Sequence, residues 1–106
     1  MNNPCPLVEL ILKGDTLEIG YCNSTPTRDA AIYTAKRIAE MIATKLLPGG
    51  EVIKIKGPMP TFVAAILTHK LAPFYGAIAC FDFKTKKYIV SVARERDPYS
   101  VGDAIE

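Results

Sequence analysis

The sequence lacks the features that mark several large classes of protein. Its formal net charge is only +2 over 106 residues, which is too small for non-specific attraction to nucleic acid, so any anion site must be local. Residues 1–4 show neither the basic nor the apolar region of a secretory signal. The longest apolar run, residues 72–81, is too short to cross a bilayer. We therefore expect a cytoplasmic protein that binds neither membranes nor DNA.

Motifs for metals and nucleotide cofactors are also scarce. The chain has three cysteines with no Cys-x-x-Cys pair, and His69 is its single histidine, which argues against a zinc site of the Cys/His kind. An odd number of distant cysteines is most simply explained by reduced thiols in the cytosol. Cys80 lies in an apolar run and is expected to act as a small core residue. Neither a Walker lysine motif nor a dinucleotide glycine triplet is present.

What the sequence does contain is the pattern of one small α/β domain spanning residues 1–106. The hydrophobic fraction of 49% and the charged fraction of 23% are ordinary for a globular protein. Residue alternation predicts strands at 7–13, 16–22, 51–56, 74–81 and 88–93, with an edge strand or a tail at 101–106. Helical periodicity predicts an amphipathic helix at 26–47 and a mostly buried helix at 61–71.

The resulting order β-β-α-β-α-β-β predicts an α/β protein, more closely an α+β two-layer sandwich of ferredoxin-like character. Right-handed β-α-β connections would place both helices on one face of the sheet. The first helix is expected to bury an apolar stripe, which consists of Ile32, Ala35, Ile38, Ala39, Ile42 and Leu46. The other sheet face, with Leu7, Ile11 and Tyr88, would be solvated or covered by a partner, for which a second copy is a natural choice.

One loop stands out as a candidate anion site, because it joins the third strand directly to the second helix. Its residues are Gly57, Pro58, Met59, Pro60 and Thr61. A strand–turn–helix junction brings free backbone N–H groups and the positive end of a helix dipole to one place. Gly57 permits a bend or a close approach to a ligand, the prolines stiffen the turn, and Thr61 is expected to cap the helix. A well-formed loop without a ligand is the alternative interpretation.

From this loop onward the order of motifs resembles a known family. Gly-x-x-Pro is followed by an apolar helix, His69-Lys70, an apolar strand, Asp82-x-Lys84, a further strand and Val101-Gly102-Asp103. The C-terminal half, and more weakly the opening hairpin, resembles the CRISPR-associated Csx-three family of small ring nucleases. The resemblance implies a ferredoxin-like homodimer that binds cyclic tetra-adenylate, a cyclic oligoadenylate messenger of type III CRISPR antiviral defence, and cleaves it. It also implies that dimers sandwich the ring, as a ligand-bridged tetramer, and that manganese assists.

The resemblance assigns roles to particular residues of this chain. The loop from Gly57 to Thr61 would contact phosphates or bases of the ligand, and His69-Lys70 matches a His-Lys pair of the family. Asp82 and Lys84 match an Asp-Pro-Arg turn in which Phe83 replaces the proline. Two further histidines of the family have no counterpart here, near Leu71 and near Ala93. A metal-independent variant, or a binding module that no longer cleaves, is therefore an alternative.

Cleavage of a cyclic oligoribonucleotide needs no external nucleophile, because a ribose 2′-OH can attack its own phosphate. His69 is the candidate to accept and return a proton, and Lys70, Lys84 or Arg94 could face the phosphate. Asp82 could orient a base or hold the metal. His69, Asp82 and Lys84 are thus the catalytic candidates. Plainer roles stay open, since His69 could complement a helix dipole, Asp82 could begin a turn, and the lysines could form a solvated run.

The predicted topology also positions these residues relative to one another. The second helix runs back along the sheet, so His69 should lie at the end opposite to Gly57 and Asp82. Eight strand residues span roughly 25 Å, so His69 and Asp82 must come from different subunits if both act on one ligand. Arg94 is expected at the same sheet end as Gly57 and Asp82. A structural or assembly subunit that uses the open sheet face is a further hypothesis.

Overall fold

The computed structural model describes residues 8–22, 24–94 and 98–106, which form a sheet of six strands with two helices packed on one face. The strands are β1 (Val8–Lys13), β2 (Thr16–Tyr21), β3 (Gly50–Lys56), β4 (Tyr75–Asp82), β5 (Lys87–Ala93) and β6 (Ala104–Ile105), and the helices are α1 (Thr27–Ala43) and α2 (Thr61–Leu71). The predicted order of elements is confirmed, and the uncertain C-terminal segment does include a short edge strand.

The strands lie side by side in chain order. β2, β3 and β4 are parallel neighbours, whereas β1, β5 and β6 each pair antiparallel with the strand before or after them. The two β-α-β connections advance in the same direction along the sheet, and because such connections are right-handed as a rule, α1 and α2 are expected on the same sheet face, where they contact each other. The mixed α/β sandwich is confirmed. The ferredoxin-like order is not, because a split β-α-β unit has a strand between its parallel strands, and here those strands pair directly.

The core fills the space between the helices and the sheet. Alternate residues of β2 and β3 face it, and Leu17, Ile53 and Ile55 are almost fully buried there. Leu67 and Leu71 of α2 pack into the same cluster. Burial of each such side chain contributes about 1.5–3 kcal/mol, so this layer determines which face of each strand points inward.

The first helix is rotated relative to the predicted stripe. It buries Ala30, Thr34, Ile38 and Met41, whereas Ile32 is 50% exposed. Thr34 can face the core because its hydroxyl donates a 2.7 Å hydrogen bond to the carbonyl oxygen of Ala30, which satisfies the polar group inside the helix. Leu46, also placed in the stripe, is exposed because the helix ends at Ala43. Neither described helix has the length and apolar character needed to cross a bilayer.

The helix-free face of the sheet is partly covered by the chain itself. Ala77, Ala79 and Val90 form a second, smaller buried cluster against which Tyr99 of the C-terminal segment packs. Towards β1 the face is charged and open, with an ion pair of 3.1 Å between Lys13 Nζ and Glu18 Oε1. Of the residues predicted for this face, Ile11 is 44% exposed and Tyr88 is half-buried, while Leu7 lies outside the described residues.

The two described cysteines differ in whether they form a disulfide bond. Cys80 is free, half-buried and packed against the main core, as predicted. Cys22, directly after β2, is disulfide-bonded. The expectation of reduced thiols is therefore wrong at this position, because wide spacing along the chain says nothing about distance in space.

Candidate ligand-binding crevice

A crevice lies where the carboxyl ends of the parallel strands meet the starts of both helices. It is an open cavity of about 590 Å³. Its lining consists of Tyr21, Thr25, Thr27, Pro58, Met59, Pro60 and Phe62. The rings of Tyr21 and Phe62 approach edge to face, with centroids 6.5 Å apart. Pro58, Met59 and Pro60 of the predicted loop thus form part of the crevice wall.

Both helices begin at this crevice without a side-chain cap. Pro26 is the N-cap of α1 and Pro60 is the N-cap of α2, and neither makes a side-chain hydrogen bond to its helix. The prediction that Thr61 caps α2 is wrong, because Thr61 is already the first helical residue. Proline has no side-chain acceptor. In α2 the Val63 N–H donates to the Pro60 carbonyl oxygen at 3.0 Å, so the N–H groups before it are the ones left for water or for an anion.

Gly57 is explained by packing rather than by a ligand. Its φ of +137° lies in the region that favours glycine, and a Cβ placed there would be 2.1 Å from the carbonyl oxygen of Ile19. The end of β3 therefore lies directly against the backbone of β2. Of the other loop residues, Pro58 is exposed, whereas Met59 is half-buried and also packs against the main core.

Asp82 lies beside this loop and organises the turn that follows β4. The register pairs Ile55 with Cys80, so Gly57 lies level with Asp82 at the carboxyl ends of β3 and β4. Asp82 Oδ2 accepts hydrogen bonds from the Thr85 hydroxyl at 2.8 Å and from the Thr85 backbone N–H at 3.1 Å. These two bonds lower the pKa of Asp82 below its ordinary value. Lys84 is exposed in the same turn.

The described residues do not fit a manganese site within one copy. Asp82 was the predicted metal ligand, but one of its oxygens is engaged by Thr85. Residues 8–22, 24–94 and 98–106 contain no cluster of three histidine, cysteine or carboxylate side chains able to hold an ion. Asp82 alone supplies too few ligands to hold the ion.

The remaining predicted residues lie at the other end of the sheet. His69 and Lys70 are exposed in the last turn of α2, so His69 is separated from Asp82 as predicted. The predicted position of Arg94, at the same sheet end as Gly57 and Asp82, is wrong. Its backbone N–H donates to Gly76 at 3.0 Å and its guanidinium donates to the carbonyl oxygens of Ala72, at 3.2 Å, and of Pro73. Since β5 runs antiparallel to β4, the residue after β5 returns to the amino end of β4.

Sequence reasoning missed a row of rings beside Asp82. We call Phe81, Phe83 and Tyr88 the aromatic strip. The ring centroids of Phe81 and Phe83 are 5.3 Å apart, and those of Phe81 and Tyr88 are 5.2 Å apart, both in edge-to-face geometry. The register pairs Phe81 with Tyr88 across the two strands. The spacing of Phe81 and Phe83 was a usable signal, but the third ring joins them only through strand pairing.

Lysines lie over the rings of the aromatic strip. Lys56 Nζ is 4.6 Å from the ring centroid of Phe81, and Lys86 Nζ is 5.7 Å from that of Phe83. Lys54 Nζ lies 5.5 Å from the centroid of Tyr88. These distances are within the range of cation–π attraction. The lysine run after Asp82, for which a solvated edge was the plain interpretation, therefore belongs in part to a mixed surface of rings and amines.

Comparisons of this chain with family models, with curated proteins and with solved structures give no match. The resemblance to the Csx-three family therefore stays a prediction from the order and spacing of motifs.

Proposed function

We propose that this protein is a ring nuclease that binds cyclic tetra-adenylate at the crevice and the Asp82 turn and cleaves it. The observation that supports this most is the position of the crevice. Two helix starts without side-chain caps lie in the crevice beside the loop to which the resemblance assigns ligand contacts. Uncapped helix N-termini attract phosphates, and cyclic tetra-adenylate carries its phosphates in the ring.

The size of the crevice supports assembly around the ligand. A cavity of about 590 Å³ is in the range that encloses one drug-sized molecule, so one copy would cover only part of a ring of four nucleotides. A second copy would complete the enclosure. This agrees with the sandwich of dimers that the resemblance implies. Enclosure of the ring by two copies does not require that they form a ferredoxin-like dimer.

The proposed cleavage is an internal transfer. The 2′ oxygen of one ribose bonds to the adjacent phosphorus, the bond from phosphorus to the 5′ oxygen breaks, and a cyclic phosphate and a 5′-hydroxyl result. A base must take the 2′ proton, and an acid must return one to the leaving oxygen. His69 is the candidate for proton transfer, and Lys84 would balance the charge that develops on the phosphate. Asp82, whose carboxylate accepts two hydrogen bonds from Thr85, would hold the turn and Lys84 in place.

Two copies are required by the distance between these groups. β4 has eight residues, which span roughly 25 Å, and His69 and Asp82 lie near its opposite ends. His69 of one copy would therefore act with Asp82 and Lys84 of another. The rate of cleavage per molecule should rise with protein concentration until assembly is complete.

The direct experiment incubates the protein with cyclic tetra-adenylate, with and without manganese, and separates the products by chromatography. We expect linear products, and we expect loss of cleavage in His69→Ala and Lys84→Ala. Lys36→Ala, which changes an exposed lysine in the middle of α1, is the control and should cleave normally. An intact ring under both metal conditions would exclude the nuclease.

A non-catalytic binding module for the same ligand is a second candidate. It is favoured by the engagement of Asp82 in its turn and by the single histidine of the chain, which lies far from that turn. Such a module would sequester the ring without changing it. Calorimetric titration separates the cases, because tight binding with no product identifies the module, and no binding at all excludes both functions.

A further inference from the structure

The aromatic strip has an exposed end. Phe83 is 70% exposed, at the first position of the turn between β4 and β5. Phe81 and Tyr88 are half-buried and lie behind it on the helix-free face. A phenylalanine ring this exposed loses the free energy that burial would supply. Its contacts with Phe81 and with Lys86 keep it next to the sheet.

The amines around this strip are only partly neutralised. Among the described residues, ion pairs engage Lys54 with Asp15 at 3.4 Å and Lys87 with Glu106. Within residues 8–22, 24–94 and 98–106, Lys56, Lys84 and Lys86 form no ion pair. Lys86 lies over the exposed Phe83 ring, and Lys56 lies over the neighbouring Phe81 ring. Lys84 follows Phe83 in the turn, where its charge also acts on the Asp82 carboxylate. This is a local concentration of positive charge in a chain whose net charge is only +2.

We propose that the aromatic strip is a stacking platform for a short single strand of nucleic acid. One base stacks on Phe83 and a neighbouring base reaches Phe81, while Lys56, Lys84 and Lys86 neutralise the phosphates between them. Rings combined with lysines are the means by which proteins hold single strands without reading sequence. The platform goes beyond the proposed nuclease, because it requires neither a cyclic ligand nor cleavage.

The arrangement favours a nucleic acid over a lipid surface or an acidic peptide. Membrane insertion needs an apolar tip that extends beyond the charges, whereas Phe83 is followed directly by Lys84, Thr85 and Lys86. An acidic peptide would use the amines and leave the rings without a role. Bases and phosphates alternate along a strand, which matches rings and amines that alternate along this surface.

The test uses the full chain and fluorescein-labelled six-nucleotide single strands, one of riboadenylate and one of deoxythymidylate, measured by fluorescence anisotropy at low salt. We expect both to bind, because stacking tolerates any base. Phe83→Ala should weaken binding about fivefold or more, since each stacked base contributes about 1–3 kcal/mol. The matched control is Phe74→Ala, which changes a ring that is 48% exposed at the opposite end of the sheet and should bind normally.

The salt dependence tests the amines separately. For single strands the slope of log K against log salt is about −0.7 for each neutralised phosphate, so three lysines predict a slope of about −2. Lys56→Gln and Lys86→Gln should each flatten the slope by about 0.7. Lys36→Gln, which changes an exposed lysine of α1, should leave it unchanged. A slope that is equally insensitive to all three variants would overturn the proposal.

A conservative variant keeps the ring and reports on it. The chain has no tryptophan, so Phe83→Trp introduces a single indole whose fluorescence should be quenched when a base stacks on it. Phe83→Trp should keep the affinity, whereas Phe83→Leu, apolar but without a ring, should lose it. Equal binding by the two variants would overturn the platform, as would transfer of the indole into phosphatidylserine vesicles without quenching by the oligonucleotide. Failure to cleave cyclic tetra-adenylate would not affect these results.

Discussion

Thr85 donates two hydrogen bonds to the same oxygen of Asp82, one from its hydroxyl at 2.8 Å and one from its backbone N–H at 3.1 Å. These two hydrogen bonds close the turn between β4 and β5, and they therefore determine where Phe83 and Lys84 are held. Both bonds favour the ionised carboxylate, which is why the pKa of Asp82 lies below its ordinary value.

This relationship predicts a pH-dependent contribution to stability. A carboxyl whose pKa is lowered by folding stabilises the protein above its unfolded pKa, and this stabilisation is lost as pH falls through the folded pKa. Thr85→Val should therefore lower the melting temperature at neutral pH, and the difference from the unmodified protein should shrink below about pH 4. Thr44→Val is the control, because Thr44 donates to a backbone carbonyl, that of Glu40. If the Thr85→Val difference does not change with pH, the assignment is wrong.

Gly57→Ala should be among the most destabilising small substitutions in the chain. The new Cβ would lie 2.1 Å from the Ile19 carbonyl oxygen in a backbone conformation of φ +137°, so β3 and β2 would have to separate. We expect a loss of about 3 kcal/mol or more in urea unfolding. Gly14→Ala is the matched control, with φ +64° but no atom within 4 Å, and should cost about 1 kcal/mol. Equal losses would show that backbone conformation, and not close packing, makes Gly57 necessary.

Two isoleucines of α1 test the orientation of that helix. Ile38 is fully buried and Ile32 is 50% exposed. Ile38→Ala should reduce the free energy of unfolding by about 2–5 kcal/mol because it leaves a cavity in the core. Ile32→Ala should cost well under half as much as Ile38→Ala. Denaturant titration of both variants measures the difference, and equal losses would restore the stripe predicted from the sequence, in which both side chains are buried.

Mixing two inactive variants tests whether the proposed catalytic groups come from different copies. If His69 of one copy acts with Lys84 of another, His69→Ala and Lys84→Ala should each be inactive alone and should recover part of the activity when mixed. Each mixed assembly would contain a site in which both residues are intact. The chromatographic assay with cyclic tetra-adenylate measures this recovery. No recovery at a concentration where the variants assemble would mean that the two residues do not share a site.

The sequence by itself determined the elements of this protein and their order. Strand alternation and helical periodicity are local signals, and α2 was predicted at the residues where it is found. The separation of His69 from Asp82 also followed from the sequence, because a helix that returns along a sheet must end at the opposite side. The cap expected from Thr61 was wrong, since Pro60 occupies the position before the helix.

Only the tertiary structure decided which residues meet. The chain-order pairing of strands puts Gly57 beside Asp82, and the antiparallel return of β5 carries Arg94 to the other end of the sheet. The pairing of β4 with β5 brings the Tyr88 ring next to the Phe81 ring, and β3 contributes Lys56. Such contacts join residues that are distant in sequence, so no local pattern encodes them. They arise because hydrophobic burial and strand register act on the whole sheet at once.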